Sequence, residues 1–163
     1  MARPWLLIAL AASVLLLAVQ RKEQIKTGVQ DMLTPRGIRN NNPGNIRHSS
    51  AKWQGMAAQQ TDANFVQFIT PEYGIRALSV LIGNYYTKNK LDTVRKIISR
   101  YAPSSENNTE AYAQDVAKAI GVTPDTIINV NTHKVALVEA IIKHENGAQP
   151  YSMAQINNGV MLA

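Results

Sequence analysis

The apolar positions of this chain fall into three regimes. From Trp5 to Val19 (WLLIALAASVLLLAV) Ser13 is the one polar residue, so a helix there is apolar on every face. Positions 21 to 31 are polar with helical character and read as a short stalk, broken by Thr34-Pro35-Arg36-Gly37. Positions 37 to 64 show little periodicity and are rich in Asn and Gly, which predicts loop, with Asn64 to Ile69 as one brief strand. From Thr70 onward the spacing is helical.

Thr70 stands as an N-cap before Pro71 and Glu72, opening a helix to about Lys88 that buries Ile75, Leu78, Leu81, Ile82 and Tyr85. Asp92 is expected to cap the next helix, with Val94, Ile97, Ile98 and Tyr101 inward and Pro103 beyond its end. Asn107 or Asn108 caps a third, through Ile120, with Gly121 as its stop. Thr123-Pro124 opens a short turn of helix, and Asn131 or Thr132 starts the helix that ends at Glu145. A last short helix spans about Ser152 to Asn158, before Gly159. The prediction is a mostly α fold. Residues 1–31 form an N-terminal membrane helix and stalk, and residues 32–163 a small helical domain with a loop-rich start.

A length of 163 residues allows one modest domain plus such an accessory segment. The apolar run rises roughly 22 Å as a helix, short of the ~30 Å hydrocarbon core. Pro4 and Gln20, or snorkelling of Arg3 and Arg21, close the gap. A retained anchor over residues 4–20 is favoured over a cleaved signal peptide, because Leu17-Ala18-Val19-Gln20 is a poor cleavage pattern. The full apolar perimeter argues against a core helix of the soluble domain.

The net charge of +6 divides evenly, since residues 1–26 carry four basic residues against one acid and the rest thirteen against ten. So mild a basicity suits an anionic polymer such as a bacterial wall, or a membrane surface. No cluster of Lys and Arg points to nucleic acid. Cysteine is absent, and His48, His133 and His144 are too scattered for a metal site, so no cofactor and no metal are expected.

The candidate chemistry centres on Glu145. Val138, Ile141 and Ile142 precede it by seven, four and three positions, which places the carboxylate on or beside an apolar helix face. It also falls in the last turn, where the helix dipole disfavours a negative charge. Both effects favour a proton-bearing carboxyl, which glycosidic bond cleavage requires. The competing reading is a solvated glutamate, or one neutralised by Lys143 or His144.

Motifs elsewhere carry a resemblance. Thr70-Pro71-Glu72-Tyr73-Gly74-Ile75-Arg76-Ala77-Leu78, Ile98-Ser99-Arg100-Tyr101-Ala102-Pro103 and Asn108-Thr109-Glu110-Ala111-Tyr112-Ala113-Gln114-Asp115-Val116 resemble segments of lytic transglycosylases and goose-type lysozymes. Gly37-Ile38-Arg39-Asn40-Asn41-Asn42-Pro43-Gly44-Asn45-Ile46, followed by Trp53 and Gly55, resembles a narrower group: small lysozyme-like peptidoglycan-degrading proteins of phages and prophages. The resemblance covers about residues 36 to 163 and implies an α+β lysozyme-like domain. In the transglycosylases the catalytic glutamate precedes the other motifs. Here its best equivalent, Glu145, follows them, so the order is circularly permuted. Tyr101-Ala102-Pro103 also lacks the Asn and Gly of the family's corresponding turn.

The resemblance implies that Glu145 protonates the glycosidic oxygen between N-acetylmuramic acid and N-acetylglucosamine, then as a base forms a 1,6-anhydro ring. Asn40, Asn41, Asn42, Asn45, Tyr101 and Tyr112 are candidate substrate-binding residues. For the asparagines the alternative is turn chemistry, and for the tyrosines core packing. Trp53 is either a sugar platform or the anchor of the long loop. Hydrolysis needs a second carboxylate, for which Asp62 and Glu106 are the candidates in loops. The expected partners are peptidoglycan glycan strands, a membrane through residues 4–20, and other virion proteins. The expected place is a virion membrane or the host inner membrane, with the domain facing the periplasm. Two rivals stand beside this reading: a peptide-cleaving lysin on the same fold, and a non-enzymatic virion membrane protein. An anchor able to leave the bilayer, as in signal-anchor-release endolysins, is a variant of the first reading.

Overall fold

The computed structural model describes residues 16–26, 29, 33–104 and 108–163. Residues 1–35 and residues 36–163 form two separate units. In the first, residues 16–26 are helical. Among the described residues no helix is long and apolar enough to cross a membrane. Most of the apolar run expected as an anchor lies outside the described residues, and so does Glu106.

Among its described residues the second unit is mostly helical, with six helices and little strand. They are α1 (Arg36–Arg39), α2 (Pro71–Thr87), α3 (Val94–Tyr101), α4 (Thr109–Ala119), α5 (Val130–Asn146) and α6 (Met153–Met161). Helix α2 packs on α5, α6 and α3, while α4 packs on α3 and α5. Ile75, Leu78 and Ile82 line one face of α2 at three- and four-residue spacing and are fully buried. They meet Leu137, Ile141 and Ile142 from α5 and Ile156 from α6 in one core. Each such side chain contributes roughly 1.5–3 kcal/mol by leaving water.

Helix ends mostly follow the sequence signals, with exceptions. Thr70 has the extended backbone of an N-cap, but its side chain makes no capping bond, and Pro71 carries the start. Thr93 rather than Asp92 caps α3, accepting from the Lys96 amide. Asn108 caps α4 through the Ala111 amide, and Asn129 caps α5, two or three residues before the expected start. Thr123-Pro124 makes a turn and no helix. Helix α6 runs past Gly159, because a Cβ there would stand 2.6 Å from the Ile75 Cβ. This glycine is a packing position and not a stop.

Residues 40 to 69 wrap the bundle as a hydrogen-bonded loop. Instead of the expected strand, Phe65 and Phe68 form isolated antiparallel bridges to Arg47 and Met56. The loop docks on α2 at Gly74, where a Cβ would lie 2.0 Å from the Asn41 carbonyl oxygen. Only a residue without a side chain permits that approach.

Candidate active site

Glu145 lies in the last turn of α5, two residues before Gly147, whose φ of 67° ends the helix in left-handed conformation. Val138, Ile141 and Ile142 on its face are fully buried, and Glu145 is half-buried at their edge. Both carboxylate oxygens are held. Asn45 Nδ2 donates to Oε2 at 2.8 Å, and the Tyr112 hydroxyl donates to Oε1 at 2.9 Å. Neither Lys143 nor His144 neutralises it. The His144 ring instead stacks on Tyr112 at 3.6 Å, with Nδ1 3.3 Å from Asp115 Oδ2.

Asn45 reaches the acid because the loop turns sharply, with Asn41 (φ 50°) and Asn45 (φ 47°) both left-handed. Asparagine tolerates that backbone better than other non-glycine residues. A second tie comes from buried Asn146, whose Nδ2 donates to the Pro43 and Ile142 carbonyls at 2.8 Å each, binding the loop to the helix end. Gly37 leaves room for both amides, since a Cβ there would stand 2.7 Å from Asn146 Oδ1 and 2.8 Å from Asn45 Oδ1.

Tyr112 comes from α4 and is buried, while Tyr101 ends α3 and donates to the Gly44 carbonyl. Their rings meet edge to face, 6.4 Å apart. Burial pushes the ionisation of both hydroxyls well above its ordinary range, and the Glu145 charge acts in the same direction. Both therefore remain O–H donors at any working pH.

Beside this carboxylate opens a cleft of about 740 Å³, a size that suits a ligand. Asn45, Arg47, Trp53, Tyr85, Arg100 and Tyr101 contribute to its lining. Among the described residues, Glu145 is the one carboxylate on it.

Of the residues singled out from sequence, Glu145, Asn45 and Tyr101 share this cleft, and Tyr112 stands directly behind the acid. Asn40, Asn41 and Asn42 are not brought to it, because the loop uses their amides. Asn40 Nδ2 donates to Asp62 Oδ2, and Asn41 Nδ2 to the Phe68 carbonyl. Asn42 is fully buried; its Nδ2 donates to the Ile46 and Val66 carbonyls, and its Oδ1 accepts from the Ile46 amide. Turn chemistry is their role here.

Asp62 is likewise withdrawn from the cleft. Its two oxygens accept from Arg36 Nε and Nη2 (2.6 Å each), Asn40 Nδ2, and the amides of Asn64 and Phe65. Other carboxylates are paired at the surface: Asp92 with Lys96, and Glu110 and Asp125 with Arg95.

No protein-family profile matches the chain. Protein P5 of Pseudoalteromonas phage PM2 is 39% identical over 127 residues, which is 76% of this chain and 79% of that protein. The chain belongs to the P5 family. In this P5-family chain, the site roles of His144, Asn146, Arg47 and Arg100 were not legible in the sequence. His144 stacks on the tyrosine that holds the acid, and Asn146 fixes the loop. Adjacency to Glu145 was their one signal, whereas Arg47 and Arg100 carried none short of the folded cleft.

Proposed function

We propose that this chain is a lysozyme-like phage lytic enzyme, anchored to a membrane through residues 4–20, that cleaves peptidoglycan between N-acetylmuramic acid and N-acetylglucosamine. The observation that carries the reading is a cleft with one carboxylate among the described residues, gripped by Asn45 and Tyr112, with Asp62 committed elsewhere. One carboxylate suits a lytic transglycosylase better than a two-carboxylate hydrolase.

In this mechanism Glu145 gives its proton to the leaving glycosidic oxygen as that bond to the muramic anomeric carbon breaks. The muramic N-acetyl oxygen supports the cation at that carbon. The Glu145 carboxylate then takes the proton of the muramic 6-hydroxyl, whose oxygen closes onto the anomeric carbon and releases the acetamido group. The acid is thereby restored and no water is consumed. Tyr112 and Asn45 keep the carboxyl oriented through both proton transfers. Such an enzyme serves a phage in breaching the wall during infection or in host lysis.

The test is digestion of purified murein by the full chain and by Glu145→Gln, with product masses. The expected result is 1,6-anhydromuramic ends from the wild type and none from the variant, at equal thermal stability. Reducing ends indicate hydrolysis, and freed peptide stems a peptidase. Absence of products from the wild type, or their survival in the variant, refutes the assignment.

A further inference from the structure

Tyr112 is held by more than its bond to Glu145. It is buried, and the imidazole of His144 lies over its ring, 3.6 Å between centroids and 15° from parallel. Tyr101 meets the same ring edge to face at 6.4 Å, and is itself fixed by donating to the Gly44 carbonyl. His144 has a second contact on α4, where Asp115 Oδ2 lies 3.3 Å from its Nδ1. Asp115 follows Tyr112 by three positions and shares its side of the helix. Consecutive helix residues do not face each other. His144 and Glu145 nevertheless meet on one tyrosine: His144 covers the ring, and Glu145 Oε1 accepts from the hydroxyl at 2.9 Å. That hydroxyl sits at the far end of a rigid ring, so a small tilt of the ring carries it out of hydrogen-bond range of the acid.

We propose that His144 is a positioning residue for the reaction at Glu145: its ring, seated on Tyr112, keeps the phenol hydroxyl on Glu145 Oε1 while the acid gives and regains its proton. This rests on the glycan-cleaving reading above. In this role His144 acts through Tyr112 alone, and a flat ring is what the role requires. Stacking sets the plane of the phenol, whereas a side chain without a ring leaves that plane free to tilt. The competing account is a plain surface staple between α4 and α5. A staple changes melting and is indifferent to whether position 112 carries a hydroxyl.

The experiment uses the full chain. It compares His144→Ala and His144→Gln, which lose the ring, with His144→Phe, which keeps a flat one, each with and without Tyr112→Phe. Turnover of soluble muramyl glycan strands gives kcat and KM, and NMR of labelled tyrosine gives the flip rate of the Tyr112 ring. Both ring-less variants are expected to lose about ten-fold in kcat, with KM within about two-fold of wild type and Tm nearly unchanged. His144→Phe should bring kcat back to within about three-fold of wild type. With Tyr112→Phe in place, His144→Ala should lower kcat no further, because residues that act through one contact are not additive. The Tyr112 ring should flip faster in both ring-less variants and near the wild-type rate in His144→Phe. An unchanged kcat, failure of His144→Phe to rescue, an equal loss in the Tyr112→Phe background, or an unchanged flip rate overturns the proposal. A wild type without turnover, beside a flip rate that rises in His144→Ala and returns in His144→Phe, refutes the glycosidase reading alone.

Discussion

Asp62→Asn separates a structural carboxylate from a catalytic one. The aspartate is acceptor-only toward five donors: two from Arg36, one from Asn40 and two backbone amides. An asparagine of the same shape turns one oxygen into a donor. That NH2 then faces either Arg36 Nε with Asn40 Nδ2, or Arg36 Nη2 with two amides, so at least two hydrogen bonds are lost. The Asp62 side chain is 9% exposed, so its own atoms see little water, whereas Arg36, at 43% exposed, recovers part of its loss from solvent. Hydrogen bonds to a charged group contribute about 1.5–3 kcal/mol each and are not fully additive, so a loss of about 3–4 kcal/mol is expected. For a domain of this size that lowers Tm by roughly 10 °C or more.

Thermal melts followed by circular dichroism at several pH values measure this loss. The Arg36 guanidinium above all, aided by Asn40 and the two amides, holds the Asp62 carboxyl well below the usual carboxylate range against the opposing effect of burial. A depressed folded-state value stabilises the protein above the unfolded value, 3.8, and that contribution is lost as pH falls through the folded value. The gap in Tm between wild type and variant should therefore be full at neutral pH and narrow below about pH 4. Folded variant at moderate temperature retains turnover. A Tm within about 2 °C of wild type refutes the loop-pin argument, and normal Tm with lost turnover makes Asp62 the second carboxylate of a hydrolase.

Two further substitutions probe the acid and the core. Tyr112→Phe removes the hydroxyl that donates to Glu145 Oε1, and kcat/KM on murein should fall roughly ten- to hundred-fold with only a small change in melting; unchanged turnover refutes a positioning role. Ser79 is fully buried with an unpartnered hydroxyl, so Ser79→Ala should raise stability by about 1 kcal/mol in denaturant titration, and a lower midpoint refutes that reading.

What the sequence made legible was local. Val138, Ile141 and Ile142 announce the buried side of α5, and Gly147 announces its end, so Glu145 could be placed at the border of core and solvent. Pro71, Asn108 and Ser152 mark helix starts for the same reason: capping acts within one turn. The illegible parts depend on residues far apart in the chain. Asp62 is a loop aspartate until Arg36, 26 positions away, closes a fork on it. Four asparagines in one loop look equivalent, yet only Asn45 meets Glu145, across 100 positions. Gly159 reads as a helix stop unless Ile75 is known to lie against it. No window of local sequence holds those partners.

The Asn45–Glu145 bond joins the loop to α5 across most of the domain's sequence, and Tyr112 enters from a third element, α4. Loop closure over such separations is entropically late. A half-folded molecule therefore has the carboxyl without its grip. Under the proposed glycan-cleaving reading, catalytic competence and completed folding become one event, so loss of turnover in rising denaturant is expected to coincide with global unfolding.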